Sequence, residues 1–176
     1  FFEGATIVPR SFWFVEVKAS ALGFDLSFPP VESSERARKE AKDAYKGLVM
    51  KGNIESQFLY ATLLSTDLLP FGHLDYRLVI LPIEPSENGY RLVNVEEARR
   101  RGFLNLTKWL EKAQKEWEKR RGTKAKDISA IEWLDYRKKL TSQNPLAKYL
   151  VLYPMSATYL CACVVKSQPM VFDIEG

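Results

Sequence analysis

Residues 4–17 have the sequence Gly4-Ala-Thr-Ile-Val-Pro-Arg-Ser-Phe-Trp-Phe-Val-Glu-Val17, a segment rich in β-branched and aromatic side chains. Such side chains favour strands, so the segment predicts one or two strands with a break at Pro9 and Arg10. Three further strands are expected toward the other end, at residues 148–153, 158–166 and 170–174. The sequence therefore predicts sheet at both ends of the chain.

The middle of the chain predicts helices instead. Asn94 begins a pattern close to a capping box, residues 103–117 carry apolar side chains at steps of mostly three and four, and Ser129 caps another amphipathic segment. Strands around a helical, basic middle of about 94–141 indicate an α+β (mixed α/β) fold class. A chain of 176 residues, 46% of them hydrophobic, suffices for one core, so we expect a single domain, 1–176.

Three shorter segments complete the predicted fold. A polar helix is expected over about 33–45, capped by one of its first two serines. Residues 54–64 have apolar side chains at roughly helical spacing, which predicts a second helix. Residues 77–83 and 90–93 look like strands around a loop, which predicts a hairpin-like unit.

Composition excludes few classes of function. Lys and Arg number 26 against 22 Asp and Glu, a formal net charge of +4 that suits a polyanionic partner without requiring one. No apolar run approaches the ~20 residues that a membrane span needs, so we expect a cytoplasmic location and no membrane partner. Cys161, Cys163 and the lone His73 are too few ligands for a zinc or multi-histidine site, so no metal is expected.

A metal-dependent nuclease is one alternative that the first strand raises. Glu16-Val17-Lys18 matches the Glu-x-Lys half of a nuclease motif. Such a site needs a further carboxylate to hold the metal, and upstream of Glu16 only Glu3 is available. An ordinary strand with an outward charge pair is the preferred interpretation.

The strongest physical signal for nucleic acid is the basic segment 99–121. It has nine basic residues against three acidic ones, a local excess larger than that of the whole chain. Spread over an amphipathic helix, this excess could neutralise phosphates and release counterions. A solvated helix face with pairs such as Glu111 and Lys115 four residues apart is an equally good interpretation.

A second basic segment, Tyr136-Arg137-Lys138-Lys139, is followed by a polar loop that contains Gln143. Arginine can bond guanine, and glutamine can bond adenine, through two hydrogen bonds at the base edge, so these residue types suit base readout. The alternative is that the basic residues complement the negative end of a helix dipole ahead of an ordinary loop.

Ordered blocks along the chain resemble a known family. The chain resembles the TaqI-like C-terminal specificity region of N6-adenine DNA methyltransferases from restriction-modification and phage-defence systems. The blocks that carry the resemblance are Gly4–Arg10 with Phe12–Val15, Lys51-Gly52-Asn53-Ile54-Glu55, Leu63–Phe71, Lys108-Trp109-Leu110, Trp133–Leu140 and Tyr149–Tyr153. The order of these blocks, more than any single block, indicates the family, and they span most of the chain.

The resemblance implies a function without chemistry of its own. It implies sequence-specific binding of double-stranded DNA and presentation of the target adenine to the methyltransferase catalytic domain of the same parent chain. The catalytic Asp/Asn-Pro-Pro-Tyr/Phe motif is missing, since Phe28-Pro29-Pro30 and Asn144-Pro145-Leu146 match it only in part. No glycine-rich loop suits S-adenosylmethionine, which is expected in the parent protein only. We therefore expect a fragment that is not itself an enzyme and needs no cofactor.

The candidate DNA-binding residues come from the family blocks and from the basic segments. They are Arg10, Lys51, Asn53, Arg99, Arg100, Arg101, Lys119, Arg120, Arg121, Arg137, Lys138, Lys139 and Gln143. A protein-interaction module of a larger complex is the main alternative. It predicts an apolar stripe exposed on the isolated chain, made of Phe103, Leu106, Trp109 and Trp117.

Overall fold

The computed structural model describes residues 4–18, 23–154 and 161–166. Helices and antiparallel strands are both present, which confirms the mixed α+β fold class. In chain order the elements are α1 (Arg10–Trp13), β1 (Phe14–Val17), β2 (Pro30–Ser33), α2 (Glu35–Glu40), β3 (Lys51–Asn53), β4 (Leu59–Thr62), β5 (Leu68–Leu69), β6 (Gly72–His73), β7 (Arg77–Ile80), β8 (Ile83–Ser86), β9 (Gly89–Leu92), α3 (Val95–Arg100), α4 (Leu104–Arg120), α5 (Ala130–Leu134), β10 (Tyr149–Leu152) and β11 (Cys163–Lys166). Short 3-10 turns lie at Asp43–Tyr45, Ser56–Phe58, Ser65–Asp67, Thr123–Ala125 and Tyr136–Lys138.

A five-stranded antiparallel sheet organises the molecule. Its strand order is β3-β2-β1-β7-β4, so β1 lies at the centre. On one side of β1, Val17 pairs with Val31 of β2, and on the other side Phe14 pairs with Val79 of β7. The remaining described strands form three separate two-stranded ribbons: β5 with β6, β8 with β9, and β10 with β11.

The opening segment is only partly strand. Residues 10–13 form a helical turn, and the predicted strand begins at Phe14. A strand would direct Phe12 and Trp13 to opposite faces. The helical turn buries both side chains completely, and Trp13 Nε1 donates to the carbonyl of Val8 at 3.3 Å. Burial of two adjacent aromatic rings therefore overrides the strand pattern.

The helix predicted over 54–64 is wrong. A 3-10 turn at Ser56–Phe58 is followed by β4, which pairs along its whole length with β7 at the edge of the sheet. Tyr60 and Thr62 are buried on alternate positions of this strand. Pairing with a strand that lies far along the chain decides the conformation here, and helical spacing alone does not reveal that partner.

The helix predicted over 33–45 is shorter than expected. The Ser34 side chain caps α2, as predicted, but α2 ends at Glu40 because Ala41 has extended backbone angles. The hairpin-like unit also differs: β7 joins the five-stranded sheet, and the hairpin is formed by β8 and β9 across the predicted loop. Only Leu81 and Pro82 lie between β7 of the sheet and β8 of the hairpin.

The helical middle follows its sequence signals closely. Asn94 caps α3 through a 2.8 Å bond from the Glu97 amide, and Ser129 with Glu132 forms the predicted capping box of α5. The segment after α5 departs from helix because Arg137 and Lys138 have left-handed φ angles of 57° and 58°.

The C-terminal strands agree with expectation where they are described. Residues 149–152 and 163–166 pair as β10 and β11. The strand predicted at 170–174, and residues 158–160 of the one before it, lie outside the described residues. This hairpin has its own small apolar cluster with Leu63, separate from the main core that extends from Ala5 to Leu140.

Candidate nucleic-acid interface

Helix α4 packs one face against the sheet. Trp109 Nε1 donates to the carbonyl of Phe12 at 3.0 Å, and its ring lies over β3, where a Cβ on Gly52 would be 3.7 Å from the indole. The buried face of the helix comprises Leu106, Thr107, Trp109, Leu110, Ala113 and Trp117. The orientation of α4 about its axis is therefore set by its apolar side.

The first turn of α4 is held by a carboxylate from a distant segment. Phe103, at the N-cap position, has no side-chain acceptor. Glu55 supplies it: one carboxylate oxygen accepts from the amide of Asn105 at 3.0 Å and the other from that of Leu106 at 2.8 Å. Free amides at a helix N-terminus attract anions. The Glu55 carboxylate therefore satisfies both amide donors and places a negative charge at the positive end of the helix dipole. Glu55 thereby fixes this end of the helix.

The outer face of α4 carries lysines in a regular row. Lys108, Lys112, Lys115 and Lys119 follow one another at four, three and four residues and are all exposed. This spacing places them on one side of the helix over about 16 Å, at 1.5 Å per residue. We call these four residues the lysine stripe. Within the described part of the chain, its first three members have no carboxylate partner, whereas Lys119 pairs with Glu116 at 2.9 Å.

Of the three lysines without such a partner, none is among the candidate binding residues named from the sequence. They contribute to the charge excess of the basic segment 99–121, but the candidates in that segment are the arginines and Lys119. Helical spacing along the segment is the signal that finds the other three lysines. Only Lys119 belongs to both the candidate set and the stripe.

The candidate arginines of α3 are largely engaged within the protein. Arg99 pairs with Glu111 of α4, and Arg101 binds both oxygens of Glu84 at 2.7 and 2.8 Å. The hydrogen bond from Arg101 lowers the pKa of Glu84. Arg100 is exposed and has no ion pair among the described residues. Arg99 and Arg101 therefore hold α3 against α4 and the β8–β9 hairpin, whereas Arg100 does not.

The candidates at the end of α4 and in the sheet are also engaged. Arg120 pairs with Glu116, and Arg121 donates to the carbonyl of Ile128 at 3.3 Å. In or next to the sheet, Arg10 pairs with Glu40 at 3.0 Å, Lys51 pairs with Glu32 at 3.1 Å, and the Asn53 amide donates to the Phe28 carbonyl at 2.8 Å.

The candidates after α5 lie on a compact turn, residues 135–143, which we call the polar turn. Asp135 organises it by accepting from the amides of Leu140 and Thr141 at 3.1 and 2.9 Å and from the Thr141 hydroxyl at 2.8 Å. Arg137 and Lys138 are exposed on it. Lys139 is half-buried, and its carbonyl accepts from Gln143 Nε2 at 3.4 Å.

The polar turn is attached to the β8–β9 hairpin through main-chain atoms. The amide of Tyr90 donates to the carbonyl of Thr141 at 2.8 Å. Gly89 beside it has φ +131°, and a Cβ there would lie 2.2 Å from the same carbonyl oxygen. Only glycine fits this contact, because both the backbone angle and the space exclude a side chain.

The structure thus separates the thirteen candidates into groups. Six of them pair with carboxylates: Arg10, Lys51, Arg99, Arg101, Lys119 and Arg120. The candidates of α3 and α4 lie along one pair of packed helices, and those of the polar turn follow α5, which packs on α4. Arg10, Lys51 and Asn53 belong to the sheet side. Arg100, Arg137 and Lys138 are exposed and form no ion pair among the described residues.

The nuclease alternative requires further metal ligands close to Glu16. Glu16 pairs with Lys18 at 3.2 Å and accepts the Glu35 amide at 3.0 Å. Burial raises the pKa of Glu16, but the hydrogen bonds from Ser34 and the Glu35 amide outweigh burial and lower it. Across residues 4–18, 23–154 and 161–166 no three metal-ligating side chains come together. Glu3 lies outside those ranges.

The apolar stripe expected of an interaction module is not exposed. Leu106, Trp109 and Trp117 are 0%, 3% and 3% exposed, and Phe103 packs edge-on against Phe58 with ring centroids 5.1 Å apart. This prediction is wrong because the stripe forms the contact between α4 and the sheet. Apolar side chains are exposed elsewhere, on the outer face of the β10–β11 hairpin and at Phe71.

A cavity of about 430 Å³ lies between the start of α1, the end of α2 and the C-terminal ends of α4 and α5. We call it the aromatic pocket because Tyr45, Trp117 and Trp133 line it in a row. The ring centroids of Tyr45 and Trp117 are 6.4 Å apart, and those of Trp117 and Trp133 are 5.6 Å apart. Its charged lining residues are Arg10, Glu40, Lys42 and Arg120.

None of the helices within the described ranges combines the length and apolar character that crossing a bilayer requires.

Comparison with known proteins adds no family to this description. No model of a known protein family matches the chain, and no curated protein matches it either.

Proposed function

We propose that this chain binds double-stranded DNA as the target-recognition part of an adenine-N6 DNA methyltransferase from a restriction-modification or defence system. The observation that supports DNA binding is the lysine stripe. Three of its four members have no carboxylate partner in the described structure, and all four are exposed on one face. The assignment to a methyltransferase rests on the resemblance of the ordered sequence blocks.

The dimensions of the stripe suit one strand of a duplex. Its length of about 16 Å, from a rise of 1.5 Å per residue, corresponds to roughly five nucleotides at 3.4 Å per step. A helix fixed by Glu55 at one end and by Trp109 in the middle presents these charges on a rigid element. Rigid placement lowers the entropy that binding must otherwise overcome.

The polar turn is the proposed reader of bases. Arg137 and Lys138 are exposed and Gln143 lies on the same turn, and these residue types can hydrogen-bond base edges in the major groove. The catalytic domain of the parent chain would supply S-adenosylmethionine and the methyl transfer. In this division of work, the lysine stripe provides affinity and the polar turn provides sequence preference.

The experiment compares two triple variants in a DNA-binding salt series. The first replaces Lys108, Lys112 and Lys115 with glutamine. Log affinity decreases with log salt, and each neutralised phosphate contributes about 0.9 to the steepness of that decrease. If each lysine neutralises one phosphate, the slope of the variant should therefore be shallower by about 0.9 for each phosphate that is no longer neutralised. The measurement is fluorescence anisotropy with labelled duplex DNA.

The matched control replaces Lys18, Lys39 and Lys46 with glutamine as well. These three exposed lysines pair with carboxylates away from α4. It changes the net charge equally and should leave the slope nearly unchanged. An equal loss in both variants would show that net charge alone drives binding. Absence of DNA binding at low salt, even with the methyltransferase domain added, would refute the proposed function.

A further inference from the structure

We propose that the tip of the β8–β9 hairpin and the polar turn form one reading surface for the major groove of DNA, in which Asn88 binds an adenine and Arg137 binds a guanine. This inference rests on the proposed function. It adds the bases that are read and one reader, Asn88, that lies outside the polar turn. Three observations support it: the contact between the two turns, the exposed Asn88 amide, and the way in which Arg137 is presented.

The two turns contact each other through main-chain atoms. Asn88 is the last residue of the hairpin tip and directly precedes Gly89, where β9 begins. A Cβ at Gly89 would lie 2.2 Å from the carbonyl oxygen of Thr141 and 3.4 Å from that of Gln143. The next amide, that of Tyr90, donates to the same Thr141 carbonyl. Asn88 therefore lies one residue away from a close contact with the polar turn.

The Asn88 side chain is available to a ligand. It is exposed, and its amide makes no hydrogen bond to any described residue. Asn53, Asn94 and Asn144 instead use their side chains to bind main-chain groups of the protein. An asparagine amide has a donor and an acceptor side by side, which match N7 and the N6 amino group of adenine in the major groove.

The shape and charge of the hairpin tip also suit base edges. A two-stranded ribbon fits the width of the major groove, and β8 with β9 is such a ribbon, separate from the five-stranded sheet. Residues 85–88 are all exposed, and they include Glu87 but no cation. Phosphates repel a carboxylate, whereas the amino group of cytosine can donate to it. The tip is therefore better suited to the bases than to the backbone of DNA.

Arg137 is held at the surface by its neighbour. Its guanidinium group lies over the Tyr136 ring, 5.2 Å from the centroid. That ring packs on Trp133, with centroids 5.4 Å apart, and Trp133 packs against the main core. Contact with a ring uses the face of the guanidinium group and leaves its N–H donors, which lie in the plane, open to a ligand. Two such donors match O6 and N7 of guanine.

The backbone that presents Arg137 is strained. Arg137 and Lys138 have φ angles of 57° and 58°, which residues with a Cβ rarely adopt. Asp135 maintains this conformation: its carbonyl accepts from the Lys138 amide at 2.8 Å, and its carboxylate accepts from the amides of Leu140 and Thr141. Strain of this kind is concentrated at ligand-binding sites, where it fixes a geometry before the ligand arrives.

The test first selects binding sites for the intact chain from a duplex library with a randomised central segment. At 3.4 Å per base-pair step, two turns in contact span roughly five base pairs. The enriched site should therefore contain an adenine and a guanine within that distance. Binding is then measured after each base is replaced by its 7-deaza analogue, which lacks the N7 acceptor in the major groove. Each replacement should weaken wild-type binding about tenfold.

Three variants assign the two bases to their readers. Asn88→Ala should lose the sensitivity to 7-deazaadenine and keep that to 7-deazaguanine, and Arg137→Ala should show the reverse. Asn88→Asp retains an acceptor but has no donor for N7, so it should enrich cytosine at the adenine position. The controls are Gln57→Ala and Lys126→Ala, an exposed amide and an exposed cation outside both turns. Both controls should keep both sensitivities.

The inference and the proposed function fail by different results. The inference would be overturned if DNA binding weakens in the triple variant of the lysine stripe but no site is enriched. It would also be overturned if Asn88→Ala and Arg137→Ala leave the two 7-deaza sensitivities unchanged. Either result would leave the DNA binding of the proposed function intact. Absence of DNA binding at every salt concentration would refute both.

Discussion

Asp67 is the most completely buried charged side chain among the described residues. It is completely buried, and it accepts from Arg77 Nε at 2.7 Å, from Arg77 Nη2 at 2.8 Å and from the Leu64 amide at 2.9 Å. Arg77 also binds Glu40 at 3.0 Å, which joins α2 to β7 of the five-stranded sheet. A buried carboxylate persists only where such partners replace its hydration.

The balance of these effects sets how Asp67 responds to pH. Burial raises the pKa of Asp67, but the hydrogen bonds from Arg77 and the Leu64 amide outweigh it, so the pKa falls below its ordinary value of 3.8. A group with a lowered pKa in the folded state stabilises fully above its unfolded value. That contribution is lost as the pH falls through the folded pKa.

We expect Asp67→Asn to destabilise the protein at pH 7 by about 3 kcal/mol, the lower end for breaking a buried pair, because Glu40 still contacts Arg77. The difference in the free energy of unfolding between wild type and Asp67→Asn should shrink as the pH falls below 3.8, where the native carboxyl group gains its proton. Urea unfolding between pH 7 and pH 2.5 measures both effects.

Asp43→Asn is the matched control for this substitution. Asp43 pairs with Lys46 on the surface, and its side chain is 93% exposed, so its removal should not change the unfolding midpoint measurably. A difference between wild type and Asp67→Asn that stays constant over the whole pH range would contradict the role given to the carboxylate charge.

At the scale of single elements, α4 shows how a helix end can depend on a remote residue. Its first amides point at Glu55, about 50 positions earlier in the chain, rather than at a neighbouring serine or aspartate. Glu55 lies between β3 and β4, so the same contact joins the sheet to the helix. The lysine stripe therefore depends on the sheet for its position.

Glu55→Gln should lower the free energy of unfolding by about 1 kcal/mol, because an amide supplies only one acceptor and no charge to the two helix N–H groups. Amide hydrogen exchange should accelerate at Asn105 and Leu106 and remain unchanged at the C-terminal end of α4. Glu87→Gln, at an exposed turn position, is the control and should change neither quantity. Unchanged exchange at Asn105 and Leu106 would refute the anchoring role.

Local signals explain which elements can be predicted from the sequence. Ser34, Asn94 and Ser129 cap their helices as expected, because a cap and its partner lie within three residues. The predictions for residues 10–13 and 54–64 are wrong, because burial in the core and pairing with β7 decide those conformations. Glu55 as a cap has no local signal at all.

At the scale of the whole molecule, the apolar side chains of the described residues form a main core and a smaller outlying one. The β10–β11 hairpin buries Leu152, Cys163 and Val165 against Leu63, whereas the main core extends from Ala5 to Leu140. A cluster of this size contributes little stability of its own, so the hairpin should open before the five-stranded sheet does.

The two cysteines report this opening. Cys161 is half-buried and Cys163 is buried, and burial raises the pKa of the Cys163 thiol. A thiol reagent should therefore label Cys161 at least tenfold faster than Cys163 in native buffer. Cys163 should nevertheless react well before global unfolding, at a urea concentration where the fluorescence of the four tryptophans, which all lie in or against the main core, is unchanged. Equal labelling rates, or reaction of Cys163 only at global unfolding, would contradict the separate opening of the hairpin.

The basic composition of the candidate interface can be predicted from the sequence. Which of its cations are left without a carboxylate partner cannot. The excess of basic residues between 99 and 121 is visible in the sequence, and α4 presents it. Which cations remain uncompensated depends on pairs such as Arg101 with Glu84 and Lys51 with Glu32, whose members lie 17 and 19 positions apart. Such pairs follow from the packing of whole elements, which no local pattern encodes.

The main-chain contact between the β8–β9 hairpin and the polar turn has a consequence for the proposed reading of bases. Tyr90 contributes only its amide and Thr141 only its carbonyl to this attachment. Neighbouring side chains at 137, 138 and 143 can therefore be exchanged without detaching the turn from the hairpin, whereas position 89 tolerates no side chain. Under the proposed function, new target sequences would require substitutions of exposed turn residues alone, while the main-chain attachment of the polar turn to the hairpin stays the same.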